Sequence, residues 1–529
     1  YIDGGRIYEL FAGGFDASKD ANYYGDVASV NLTITGGELG GQTPDGTPAA
    51  LAGTKSVYGG SYYGTVHGAV NVTVDGTATI TNLVGGGYAG TVEGAITLNL
   101  INGTATTVNA AGIGNATAKG NVLVNLYDEF SFTSIYGGKQ SGSGATVEGS
   151  STLAFVEEGV SYDMTGKTLK GFDTISLADG ATVKVSTESG FATDSETGVL
   201  TVSGAGVLNL TGNTDIARDI TLIDGATLWF NSDYAGNGIG GEGDDRVRRT
   251  LTATADTTID ITGQPTQVGD GLCVWLDLAG HGVDGKGALY KGLQDAETTP
   301  SGKVALSRVT LSDSASVNAE DNIYFIEWKN TESDLYLNGH TLTKIGDKDL
   351  VLYNSTVKDN TDANAVVDGT IFVKEGTLGV GHGMRAGKTN VVLSKGTSLD
   401  ILSVSDAGAI IGALSGSGTA NLAHELTITT NDIGSYDVES DFMDATEKYN
   451  QYSAGAGFNY GVYSGMMTGT GALYVAGDGT QYLSGDASNY TGGTRLYDSA
   501  TLYLMGSTEG SMTKGSTTAS GGVVGTGAI

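Results

Sequence analysis

The chain has 529 residues, with 59 acidic against 27 basic side chains, a net charge of −32, and 86 glycines beside only 4 prolines. Such a charge repels phosphate backbones and anionic lipid and argues against nucleic-acid or membrane-surface binding. Glycine without a strict triplet period excludes collagen, and a 39% hydrophobic content in short Val/Ile/Leu/Thr runs excludes disorder.

A single cysteine, Cys273 in an apolar run, excludes an intramolecular disulfide framework and any cysteine-based metal site. No apolar run approaches the ~20 residues of a membrane-spanning helix. The sequence opens at Tyr1-Ile2-Asp3-Gly4-Gly5 without an initiator methionine or a signal peptide, as an excised fragment of an exported protein does.

In chain order, Phe11-Ala12-Gly13-Gly14-Phe15 and Val30-Asn31-Leu32-Thr33-Ile34 form a first, degenerate unit, followed by an insertion over Gln42 to Thr54. A regular array then begins. Tyr58-Gly59-Gly60, Val84-Gly85-Gly86, Ala110-Ala111-Gly112 and Tyr136-Gly137-Gly138 start at steps of 26 residues. A second landmark keeps the same step: His67-Gly68-Ala69-Val70, Glu93-Gly94-Ala95-Ile96 and Lys119-Gly120-Asn121-Val122. Val70, Val72 and Val74 alternate with Asn71 and Thr73, the period-2 pattern of a strand with one buried face. The Gly-Gly steps predict positive-φ corners. A unit of 26 residues holds about three short strands and their corners, the size of one rung of a three-sheet β-helix. Rungs stack at roughly 4.8 Å, so each repeat position lies over its equivalent, and ~20 rungs would measure on the order of 100 Å.

The expected fold class is therefore all-β, a parallel β-helix with loop insertions. Residues 1–160 carry the regular 26-residue rungs, 161–440 a less regular helix, and 441–529 the C-terminal rungs. Asp179-Gly180-Ala181-Thr182-Val183 and Asp224-Gly225-Ala226-Thr227-Leu228 continue the strand-after-turn grammar. No segment longer than ten residues has a helical period. An irregular excursion is expected over Asp441 to Asn459.

Chemistry-bearing motifs are sparse. The histidines His67, His281, His340, His382 and His424 form no H-x-x-x-H pair, and no metal or cofactor is expected. His67 occupies the position of Glu93 and Lys119 and reads as a variable surface site. Gly240-Gly241-Glu242-Gly243-Asp244-Asp245 matches a calcium-binding nonapeptide only loosely and once, which suits a solvated acidic loop. The one local cluster fit for a polysaccharide lyase is Arg246, Arg248 and Arg249 beside Asp244 and Asp245. Aromatic placement is more informative. Tyr62 and Tyr88 are one repeat apart and should stack on neighbouring rungs beside Tyr63, with Tyr23 and Tyr24 in a comparable turn. Such a ledge either shields glycine-rich backbone or receives a sugar ring or protein partner. Tyr62, Tyr63 and Tyr88 are the candidate ligand-binding residues, and no catalytic residue is assigned.

Near the C-terminus stand Leu483-Ser484-Gly485, Asn489-Tyr490-Thr491-Gly492-Gly493-Thr494 and Ala500-Thr501-Leu502-Tyr503-Leu504. This series resembles the passenger-associated repeat of bacterial autotransporters. The resemblance implies a right-handed β-helix, export through a C-terminal outer-membrane barrel that lies outside this sequence, and display at the cell surface. It also implies folding that proceeds vectorially from the C-terminal rungs. The serine-protease passengers' Gly-Asp-Ser-Gly turn is absent. The expected function is thus a non-enzymatic, extracellular passenger, an adhesin for a host or community surface glycan or protein, with self-association as a further expectation. A structural stalk and a polysaccharide lyase or glycosidase are the alternatives.

Overall fold

The computed structural model describes residues 1–14, 25–40, 56–140, 142, 144–186, 198–211, 218–231, 249–264, 273–293, 305–326, 333–358, 368–402, 408–429, 460–477, 479–483, 489–497 and 500–504. Among them there is no α-helix, only a 3₁₀ turn at Val283–Gly285. The chain forms two compact units, Tyr1–Arg249 and Thr250–Ile529. Each is a right-handed parallel β-helix with short strands and glycine-rich corners.

In the first unit the alternating runs fold as their pattern dictates. Val70–Val74 pairs in parallel with Ile96–Leu100, which pairs with Val122–Leu126, each at the 26-residue step. The inward residues form columns: Val72 over Leu98, over Val124, over Leu153, all without solvent exposure. Burying each such side chain contributes roughly 1.5–3 kcal/mol, which makes these columns the main stabilising feature of the rungs. The second sheet departs by a compensated slip. Ile80 pairs with Ala105 and Ala105 with Phe132, steps of 25 and 27 residues. The third sheet is narrow, with Thr65–Val66, Thr91–Val92, Thr117–Ala118 and Thr146–Val147 stacked in order.

The Gly-Gly corners exist for a different reason from the one predicted. Gly60, Gly85 and Gly86 do not have positive φ; the left-handed positions are elsewhere, at Gly76 and Gly103 for example. What requires glycine is close approach of stacked backbones. A Cβ on Gly86 would lie 1.9 Å from the Ala111 carbonyl oxygen, and one on Gly60 would lie 2.7 Å from Gly87 N.

The second unit runs on shorter rungs. Thr377–Leu393 is one strand that passes through all three sheets, pairing over Leu399, over Ala409 and over Leu414 in turn. His382 turns one of its corners at φ 54°. Thr377 pairs with Ser398 and Ser398 with Thr419, 21 residues apart each time. Thr419 then pairs with Met466, a step of 47 residues, after which Tyr460 pairs with Thr480 at a step of 20. The extra residues enter between Ile428 and Tyr460, and the helix resumes in register. The predicted excursion at 441–459 falls outside the described residues, as do the insertion at 42–54 and Tyr23 and Tyr24.

Two lysines lie inside the second unit. Lys344 is fully buried and donates to the carbonyls of Ile345 (3.2 Å) and Gly346. Lys291 is 1% exposed and lies 3.9 Å from Asp321. Burial disfavours both ammonium charges and brings each pKa down to about 8. An unfolded lysine holds its proton to pH ~10.4. Between pH 8 and 10 the unfolded chain therefore binds more protons than the folded one, and stability rises with pH across that window. We expect the difference in thermal midpoint between the wild type and Lys291→Met/Lys344→Met, followed by circular dichroism, to shift in the wild type's favour from pH 8 to 10. A difference independent of pH would show that the two ammonium groups are not held at a cost.

Candidate functional site

The predicted aromatic ledge forms on the corner that follows the Gly-Gly steps of the first unit. Its base is core. Phe11 pairs with Tyr58 in register, their rings stack at 4.4 Å and 9°, and Tyr58 has no exposure. Tyr62 stands outside them, edge-on to Phe11 at 5.2 Å. Tyr62 and Tyr88, one repeat apart, stack at 5.1 Å with an interplanar angle of 7°. Tyr63 meets Tyr62 edge-on at 4.5 Å. Backbone bonds between rungs fix this arrangement: Tyr62 N–H donates to Gly14 C=O, Tyr88 N–H to Ser61 C=O, and Ala89 N–H to Tyr62 C=O. The structure thus brings Tyr62, Tyr63 and Tyr88 into one cluster of half-buried rings. Burial, with the Tyr63 phenol as the next contributor, raises the Tyr62 pKa.

The ledge ends abruptly. In the next rung Gly114 stands where the ring would be, at φ 68°, and a Cβ there would lie 2.4 Å from the Tyr88 carbonyl oxygen. Gly144 stands over Gly114 in the same way. Two rungs without a side chain therefore border the Tyr88 ring. The ledge is long enough for one or two sugar rings or a short peptide.

Beside it runs a column that sequence reasoning undervalued. His67 Nδ1 lies 2.9 Å from Glu93 Oε2, and Lys119 Nζ lies 3.0 Å from Glu93 Oε1. Asp26 approaches His67 Nε2 to 3.8 Å, and Glu148 follows Lys119 in register. The position is not variable in a neutral sense, because charge alternates along it. Hydrogen bonds from His67 first, then Lys119, lower the Glu93 pKa. The substitution from rung to rung was visible, and charge complementarity between residues 26 apart was the signal that would have found it.

The passenger-like motif is built into the fold. Asn489 N–H donates to Met467 C=O and Thr491 N–H to Gly469 C=O, so the segment lies on the rung below. Tyr490 is 1% exposed with its hydroxyl bonded to that of Thr494, and a Cβ on Gly492 would come within 2.3 Å of the Gly471 carbonyl carbon. These residues are consumed by packing.

Gly240 to Arg248, with the acidic loop and two of the three clustered arginines, lie outside the described residues, as does the Cys273 side chain. Among the described residues no group of three His, Cys, Asp or Glu side chains is placed to hold a metal ion. No family model matches the chain, and no curated protein or solved structure matches it either.

If the ledge shields the corner, removing it costs stability. Tyr62→Ala/Tyr88→Ala should lower the unfolding free energy by about 2 kcal/mol, from lost burial and one stacked pair, as read by urea titration. An unchanged midpoint would mean that the rings cover nothing and stand free for a ligand.

Proposed function

We propose that the chain is a surface-displayed, non-enzymatic passenger of the autotransporter type, exported through an outer-membrane barrel outside this sequence. Its role in this reading is adhesion to a glycan or protein of a host or community surface. The observation that carries the adhesive part is the stacked pair Tyr62–Tyr88 with Tyr63, half-buried and bordered by side-chain-free rungs at Gly114 and Gly144. Flat aromatic rings fixed at a corner present a pre-organised surface with little side-chain entropy left to lose on binding. The burial of Tyr490 and the corner packing of Gly492 support the passenger reading, because they give the motif a fold-making role.

One observation favours a second reading. The ledge rings pack chiefly on one another and on Phe11, and the array stops after two rungs. A stalk that holds another domain away from the cell would need only that much aromatic cover.

The two are separated by retention of the purified protein on immobilised mucin, matrix proteins and a neutral polysaccharide panel, beside Tyr62→Ala/Tyr88→Ala. The adhesin reading expects saturable retention without ligand breakdown, weakened at least tenfold in the double variant. Absence of retention on every surface would leave the stalk, and release of shortened polysaccharide would establish an enzyme instead.

A further inference from the structure

One outward face of the second unit carries a group of side chains that the packing of the rungs does not account for. Trp275, Arg308 and Asp334 occupy one register column, with Trp275 paired to Arg308 and Arg308 to Asp334. Asp277 and Tyr336 flank that column through Thr310. Each points outward, since its strand neighbours Val274, Leu276, Val309, Leu335 and Leu337 are all buried. The Arg308 guanidinium lies 5.0 Å from the Trp275 ring centroid on one side and 4.7 Å from that of Tyr336 on the other. Both distances fall in the range of a cation–π contact.

That sandwich uses the two faces of the guanidinium and leaves its in-plane N–H donors unengaged. Among the described residues Arg308 makes no hydrogen bond and no ion pair, although two carboxylates are its neighbours. Asp334, directly across from it, is turned to Lys358 at 2.7 Å. Asp277, diagonal to it, forms no ion pair with it, and its Oδ1 is buried without a partner among the described residues. In a chain with 59 acidic and 27 basic residues, an arginine whose task was structural would readily find a carboxylate.

We propose that this face binds the oxyanion of an acidic sugar, a carboxylate or a sulfate, within an otherwise neutral glycan, with Arg308 as its receptor. The planar fork matches such a group bidentately, and the two rings hold the fork in one plane before the ligand arrives. The local charges, Arg308 and Lys358 against Asp277 and Asp334, cancel. Attraction therefore depends on the geometry of the fork rather than on a positive field, and the net charge of −32 disfavours a densely charged polyanion. The exposed edges of Trp275 and Tyr336 border the anion and give the rest of the sugar apolar surface to lie against.

This inference deepens the adhesive reading and rests on it only in treating the chain as a glycan binder; it does not depend on the tyrosine ledge. The test is saturation-transfer NMR on the full chain with 3′-sialyllactose, 3′-sulfolactose and lactose. Wild type should bind at least one acidic trisaccharide or disaccharide no less than tenfold more tightly than lactose, and the tighter of the two identifies the group. Arg308→Gln should abolish that preference. Arg308→Lys, which keeps the charge and loses the fork, should weaken it at least fivefold with an unchanged thermal midpoint. Equal binding of lactose, no binding of any probe, or full binding by Arg308→Gln would overturn the proposal. Tyr62→Ala/Tyr88→Ala is measured alongside: loss in that protein alone sustains the ledge and refutes this site, and loss in the Arg308 variants alone does the reverse.

Discussion

Everything in this molecule depends on the in-register parallel ladder. Successive rungs hydrogen-bond at about 4.8 Å, so each side chain is held against the residue one rung away. Like must therefore tolerate like along every column. Val72, Leu98, Val124 and Leu153 can do so because aliphatic groups of similar size interdigitate without strain. Gly60 and Gly86 can because they have no side chain, and the 1.9 Å clearance at Gly86 shows that even a methyl group has no room. Polar residues inside the rungs are admitted only where backbone can satisfy them. Gln481 sits over Gly461, whose missing side chain opens the way to Leu414; its Nε2 donates to Leu414 C=O at 2.9 Å and its Oε1 accepts from Leu414 N–H at 3.3 Å. The side chain thus acts as a length of strand where the ladder between Ala409–Gly416 and Tyr460–Tyr463 holds only at Gly416 and Tyr463. Arg218 does similar work with its buried guanidinium, donating to Phe172, Gly198 and Val199 carbonyls.

The same constraint decides which surface features can be functional. A column of equal charges at this spacing would repel itself, and Asp26, His67, Glu93, Lys119 and Glu148 avoid that by alternating. Asparagines instead repeat without penalty, since an amide both donates and accepts: Asn125 bonds to Asn99 at 2.8 Å and Asn71 to Asn31 at 3.0 Å. Aromatic rings also stack on themselves, as Tyr62 and Tyr88 do. Self-complementary columns are what the ladder makes easy. Their presence is evidence of the fold first, and a role in binding needs a further reason, such as a bare neighbouring rung.

The regular part of the fold was legible because period and register coincide. A step of 26 in the sequence became a step of 26 in the Val70, Ile96 and Val122 ladder, and it placed Tyr62 against Tyr88 before any coordinates were known. Legibility failed where the spacing is carried by insertions. Trp275 to Arg308 is 33 residues and Arg308 to Asp334 is 26, with unequal intervening stretches, so nothing in the sequence announces that they share a column. The two-residue strands Thr65–Val66 and Thr91–Val92 were invisible for another reason: no alternation can be read from two residues. The corner glycines were recognised, but conformational freedom was credited where steric clearance governs. That distinction depends on the distance between two rungs, which no single segment of sequence contains.

The scarcity of basic residues sharpens the meaning of each one. Arg6 reaches Glu38 at 2.8 Å, Lys139 reaches Asp173 at 2.7 Å, Lys286 reaches Asp260 at 2.9 Å and Lys358 reaches Asp334 at 2.7 Å. Each of these pairs joins residues far apart in the chain that lie in neighbouring rungs. One such exposed pair adds little stability, of order 0–1 kcal/mol. Its value is in register, because a rung shifted by two residues would bring carboxylate against carboxylate in a chain so rich in them. A basic residue used to pin register must spend its donors on a carboxylate. Arg308 spends its faces on two rings and none of its donors on any described residue, with Asp334 beside it already committed to Lys358. In this architecture that is the departure that calls for a ligand, and it is a stronger reason than aromatic stacking, which the ladder would produce unaided.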